Sequence, residues 1–240
     1  MTFGMSTRRK KMTQSIRHLD LCGDQKNPPP PKTGPKGKVN IAQVRAGKVV
    51  VRNPATIKGI GIHQTACVFG PMADPEKRYR RALNVPSHAL SFRDGVFATA
   101  FPLEWYMYHG NELNAFTLGL EIEGHYPGRP DDPSTPSRED IQSTWGGKPT
   151  PFDDLAIETA RAALKYLVET GRNRNMPIEY VWAHRQSNGQ KPSDPGYEIW
   201  KHVVLEYGCT QLGLKTEPGR AWRDGKAIPG AWDPKATAKY

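Results

Sequence analysis

Residues 178–196 constrain the chain more than any other stretch. A β-rich run over 178–183 leads to His184, a polar loop follows, and the loop ends at Asp194 before Pro195-Gly196, which the pattern predicts as the opening of a helix. An imidazole and a carboxylate are thereby held at the two ends of one constrained loop. Both are good Zn²⁺ donors, and a site needs at least one more. The candidate third donor is His63, at the end of a second β-rich run over 57–62. The glycines in that run, Gly59 and Gly61, predict a close approach of other backbone or side chains to the strand.

The rest of the chain reads as one body with extensions. At 240 residues, 37% hydrophobic and 24% charged, it is long enough for one substantial core. The net charge of +10 is carried by the ends. Eleven Lys and Arg oppose two Asp before Val49, and six oppose three acids after Leu214, so the middle is slightly acidic. Residues 1–46 read as a basic, Pro-rich N-terminal extension without regular order apart from a helical turn over 15–21. Residues 47–214 read as the catalytic body, and 215–240 as a basic C-terminal extension whose Trp222 and Trp232 dock either on the body or on a partner. Basic tails suit contact with an anionic cell envelope. Nucleic acid is not the expected partner, because the charge lies outside the body. No apolar run is long enough to span a membrane. No apolar stretch follows Arg8-Arg9-Lys10-Lys11, so no secretory leader is expected. Cys22, Cys67 and Cys209 are odd in number and scattered, which predicts free thiols and synthesis in the cytoplasm.

Between the runs that end at His63 and His184 the pattern predicts a helix from Asp74-Pro75, a hairpin of 88–92 and 96–101, and a strand over 117–123. In that strand Leu118, Leu120 and Ile122 take one face and Glu121 and Glu123 the other, so either acid can serve as a base there. Residues 125–150 read as a long surface insertion. A helix over 152–170 presents Leu155, Ala156, Ala160, Ala163, Leu164 and Leu167, with Gly171 as its stop. A last helix, from Pro195 to about 207, turns Ile199, Trp200, Val203 and Val204 inwards. Asp194 also suits the N-cap of that helix. The group Trp105-Tyr106-Tyr108 suits either core packing or sugar stacking.

Three segments together resemble one family. They are Ile60-Gly61-Ile62-His63-Gln64-Thr65-Ala66; His109-Gly110-Asn111 followed by Leu118-Gly119-Leu120-Glu121-Ile122-Glu123-Gly124; and Ala183-His184-Arg185-Gln186 with Ser193-Asp194-Pro195-Gly196. In this order they resemble zinc-dependent N-acetylmuramoyl-L-alanine amidases of the type-2 class, which share a fold with peptidoglycan-recognition proteins. The resemblance covers about residues 49–213. It implies an α/β fold in which helices flank a central mixed sheet, with a zinc groove on one face. It implies Zn²⁺ as cofactor, His63, His184 and Asp194 as its ligands, and Glu121 as the catalytic carboxylate. A lysine two residues before the third ligand is common in the family. Here that position is Pro192, and Lys191 is the nearest candidate for the role. His109 fits substrate binding or loop support rather than ligation, and Cys67 fits a buried thiol.

The activity implied is cleavage of the amide between N-acetylmuramic acid and L-alanine in bacterial peptidoglycan, zinc-bound water attacking while Glu121 serves as general base and acid. Such a bacteriolytic, endolysin-like enzyme would act on the cell wall after phage- or secretion-mediated release. The alternative is a non-catalytic peptidoglycan-binding module of the same fold, a reading that Pro192 motivates.

Overall fold

A six-stranded mixed sheet runs through the protein, in a computed structural model that describes residues 15–34, 37–129 and 149–238. In chain order the strands are β1 (Arg17–Asp20), the hairpin β2 (Lys32–Gly34) and β3 (Gly37–Val39), the hairpin β4 (Val44–Arg45) and β5 (Lys48–Val49), then β6 (Gly59–Gln64), β7 (Ala89–Ser91), β8 (Val96–Thr99), β9 (Thr117–Ile122) and β10 (Tyr180–Ala183). The large sheet has the order β1-β8-β7-β9-β6-β10. Every neighbouring pair in it is parallel except the β7–β8 hairpin. All six residues of β6 are buried, as expected of a central parallel strand covered on both faces.

Helices cover the sheet. α1 (Pro75–Tyr79) starts as its sequence predicts, with the Asp74 carboxylate accepting from the Glu76 amide at 3.0 Å. α2 (Asp154–Asn173) starts on the Asp153 carboxylate, which accepts from the Ala156 amide. Its buried face, Ala156, Ala160, Ala163, Leu164 and Leu167, packs on β7, β8 and β9. Gly171 does not stop this helix. It lies within it, and a Cβ there would come 3.0 Å from Ile178 Cγ1, so this glycine permits close packing. α3 opens as Tyr197–Ile199 and continues in a wider π-helical form over Trp200–Cys209, burying Ile199, Trp200, Val203 and Val204.

Described segments towards both ends pack against the rest of the fold. Residues 15–21 form no helical turn. Arg17–Asp20 is an edge strand, pairing in parallel with Val96–Thr99. Leu21, Ile41 and Ala42 are buried beside Leu90, Phe92 and Phe101. Residues 41–52 exchange backbone hydrogen bonds with residues 104–108. Residues after 214 line the opposite edge. The Lys215 amide donates to the Glu179 carbonyl, and the Val181 amide donates to the Lys215 carbonyl. Ile228 and Trp232 are buried in the main core, and the Arg185 guanidinium lies 4.9 Å from the Trp232 ring centroid. Trp232 therefore docks on the body. Residues Arg8 to Lys11 and most of the 125–150 insertion lie outside the described residues. No described helix is long and apolar enough to cross a membrane.

Candidate metal centre

Three parallel neighbours, β9, β6 and β10, bring their carboxyl ends to one edge of the sheet, the edge where parallel sheets usually receive ligands. Register decides who meets whom. His63 pairs with Glu121 across β6–β9, and Ile62 pairs with Ala183 across β6–β10. His184, the next residue, therefore stands beside His63, with ring centroids 4.6 Å apart at 70°. The loop after His184 returns on itself, since the Arg185 amide donates to the Asp194 carbonyl at 3.0 Å. Asp194 does not cap the last helix; Gly196 occupies that position without a side-chain cap. Instead Asp194 Oδ1 accepts from the Gln64 amide at 3.0 Å, and Oδ2 lies 3.0 Å from His184 Nδ1. His63, His184 and Asp194 each offer a ligand atom, all within 4.8 Å of one another.

The residues present fit a divalent cation. His63 is fully buried, yet its Nδ1 has no hydrogen-bond partner among the described residues. A buried polar atom without a partner is costly and calls for one. Two imidazoles and a carboxylate match the nitrogen and oxygen donors of a catalytic zinc site with an open fourth position. Burial pushes the His63 pKa well below the ordinary histidine range, and the fields of His184, His109 and Lys191 act in the same direction. The ring is thus neutral at physiological pH, which is the ligating form.

The two acids that alternation could not separate have different roles in the structure. Glu123 is fully buried and engaged. Arg78 donates to both its oxygens at 2.8 and 2.6 Å, and the amides of Phe69 and Arg93 donate to it as well. Glu121 faces the cleft, half-buried, and its Oε2 has no partner among the described residues. Burial, followed by the charge of Asp194, pushes its pKa up to about 8, against the opposing fields of Lys191 and Lys32.

The cleft beside these groups has a volume of about 610 Å³. Among the described residues, the cations Lys191, Arg81 and, from the β2 strand, Lys32 line it. The aromatic group of 105–108 divides, with Trp105 buried in the core and Tyr108, 43% exposed, in the cleft wall. Cys67 also borders the cleft as a free thiol outside the three-donor group, and Cys22 and Cys209 are free as well.

Two features escaped the sequence reading. The Gln64 side chain ties the site together, donating to the carbonyls of Tyr126 and Ser193 and accepting from the Tyr126 amide. His109 touches a candidate ligand directly, with its Nδ1 3.0 Å from His63 Nε2. The glycines flanking His63 and Glu121 were the available signal for that second contact.

A family model described as N-acetylmuramoyl-L-alanine amidase matches residues 53–197. No curated protein matches the chain in sequence. Among solved structures the chain is similar to the N-acetylmuramoyl-L-alanine amidase LysC from Clostridium intestinale, at 14% identity over 84% of this chain and 100% of that one, with a TM-score of 0.45. It is similar to Drosophila PGRP-LB at 13% identity over 84% and 97% of the two chains, TM-score 0.47. It is also similar to the Ph2119 endolysin of a Thermus scotoductus bacteriophage, at 16% identity over 67% and 89%, TM-score 0.39.

Proposed function

The chain belongs to the N-acetylmuramoyl-L-alanine amidase family, and from that premise we propose that it is a zinc-dependent hydrolase of bacterial peptidoglycan. The bond cut is the amide joining the lactyl group of N-acetylmuramic acid to the first L-alanine of the stem peptide. The observation that carries the reading is the unpartnered, buried Nδ1 of His63 in a three-donor group with His184 and Asp194.

His63, His184 and Asp194 would hold the ion. Zinc supplies Lewis acidity, polarising a carbonyl oxygen and allowing water to lose a proton near pH 7. Glu121 takes the proton from the attacking water as the new C–O bond forms, then delivers it to the amine as the C–N bond breaks. Beside a bound dication Glu121 would favour its ionised form, the form that accepts the proton. Lys191 places a cation at the same cleft, where negative charge develops on the carbonyl oxygen. Lys32 and Arg81 suit the free carboxylates of a stem peptide, and Tyr108 offers a ring face to sugar. We propose an endolysin-like, wall-degrading use of this chemistry.

The test is incubation of zinc-loaded protein with purified sacculi, followed by assay of newly exposed L-alanine amino termini. Release that depends on Asp194 is expected. No release, or undiminished release by Asp194→Ala, overturns the proposal. Pro192, at the family's lysine position, favours one second reading, a peptidoglycan-binding module without turnover. Muropeptide binding by calorimetry with no product would select it.

A further inference from the structure

We propose that His109 is a positioning residue that fixes the tautomer of His63, so that His63 presents the Nδ1 lone pair to the ion. The inference rests on His63 being a ligand.

A chain of four groups, Leu113, Thr117, His109 and His63, runs out to the site. Thr117 Oγ1 lies 2.7 Å from the Leu113 carbonyl oxygen. A carbonyl can only accept, so the hydroxyl proton points there. The hydroxyl oxygen is left to accept from His109 Nε2, 3.4 Å away. With its proton on Nε2, a neutral His109 ring has a bare Nδ1, and that atom lies 3.0 Å from His63 Nε2. His63 must then donate from Nε2, which leaves its own Nδ1 unprotonated. This is the same atom that is buried without a partner. Ligating imidazoles are commonly oriented by an acceptor on their second nitrogen, and here a histidine supplies it.

The sheet is shaped to hold this ring. Gly61 and Gly119 are register partners on β6 and β9. A Cβ on Gly119 would lie 2.7 Å from His109 Cγ, and one on Gly61 would lie 3.0 Å from His109 Cε1. A Cβ on Gly110 would lie 3.0 Å from His63 Cε1. Gly61, one of the two glycines predicted from sequence to mark a close approach, therefore forms the seat of His109 together with Gly119, while Gly59 lies against Tyr180 and Trp182.

The test uses the full-length, ¹⁵N-labelled, metal-free protein. Histidine ¹⁵N–¹H spectra are expected to show His63 as the Nε2–H tautomer alone. His109→Phe keeps an aromatic ring but removes the acceptor. It is expected to give mixed His63 tautomers and a Zn²⁺ affinity, by chelator competition, about 10–100-fold weaker. Wild-type His63 protonated on Nδ1 overturns the proposal. So does a folded His109→Phe whose Zn²⁺ affinity stays within about twofold of wild type. Should His109→Phe fail to fold, the wild-type spectrum alone decides. A wild type with the Nε2–H tautomer that binds no zinc supports the tautomer assignment and removes the proposed function instead.

Discussion

His63 and Glu121 are register partners on adjacent parallel strands, so the first candidate ligand and the candidate proton carrier stand side by side on one face of the sheet. The backbone ladder, not a flexible loop, sets their separation. Sites built on strands hold their geometry closely.

Glu121→Gln should abolish most turnover while leaving metal binding intact. The amide keeps the shape but cannot take the proton. A loss of about 10²–10⁴ in kcat is expected, the usual contribution of a positioned acid–base, with Zn²⁺ affinity near wild type. Steady-state kinetics on soluble muropeptide and a chelator titration check the two halves.

Glu123→Gln should act on stability. It breaks a buried ion pair and leaves Arg78, only 11% exposed at its side chain, with the more exposed Asp94 as its remaining charge partner among the described residues. Leaving a buried charge wholly uncompensated costs about 3–5 kcal/mol, and the loss here should fall below that because Asp94 still pairs with Arg78. Urea denaturation should show the loss, and the folded fraction should retain activity per molecule. This pair of variants separates two acids that are equivalent by strand alternation.

The metal-free protein should lose stability as pH rises, and Glu121 should account for part of the loss. Its pKa in the folded state is about 8, against an ordinary value of 4.5. A carboxyl raised on folding stabilises the folded state fully below about 4.5. That contribution disappears as pH climbs through 8, because the unfolded chain then binds fewer protons. Denaturation of chelator-treated protein at pH 5 and pH 8 should give a larger difference for wild type than for Glu121→Gln. Equal differences would count against a protonated Glu121 in the folded, metal-free site.

Lys32→Ala should weaken substrate binding more than chemistry. Lys32 lies outside the family-matched residues 53–197, on the β2 strand, yet lines the same cleft as Glu121 and His184. An exposed cation typically contributes up to about 1 kcal/mol to a charge pair. A KM increase of about two- to fivefold with kcat little changed is therefore expected, and lost at high salt. Kinetics at two ionic strengths on a muropeptide with free carboxylates check it.

The legible parts of this molecule are those whose signal is local. Alternation and β-branching mark the runs that become β6, β9 and β10, an Asp-Pro start marks α1, and an apolar stripe marks α2. The segments bearing His63, Glu121, His184 and Asp194 are recognisable by their residues, and register then places their ends together. What escaped is set by distant partners. Arg17-His18-Leu19-Asp20 is short and charged, and becomes a strand only because Val96–Thr99, about 80 positions away, offers a parallel edge. The segment after 214 has no period; isolated anchors, Ile228 and Trp232, hold it to the core. Glu121 and Glu123 look alike until Arg78, from α1, occupies one of them. The His109–His63 contact likewise crosses 46 positions.

Metal analysis after exhaustive chelation and reloading tests the central claim most directly. The account predicts one Zn²⁺ per wild-type chain and a large loss of affinity when any one of His63, His184 or Asp194 is replaced by alanine. A wild type that takes up no zinc, or alanine variants that retain it as tightly as wild type, would contradict it.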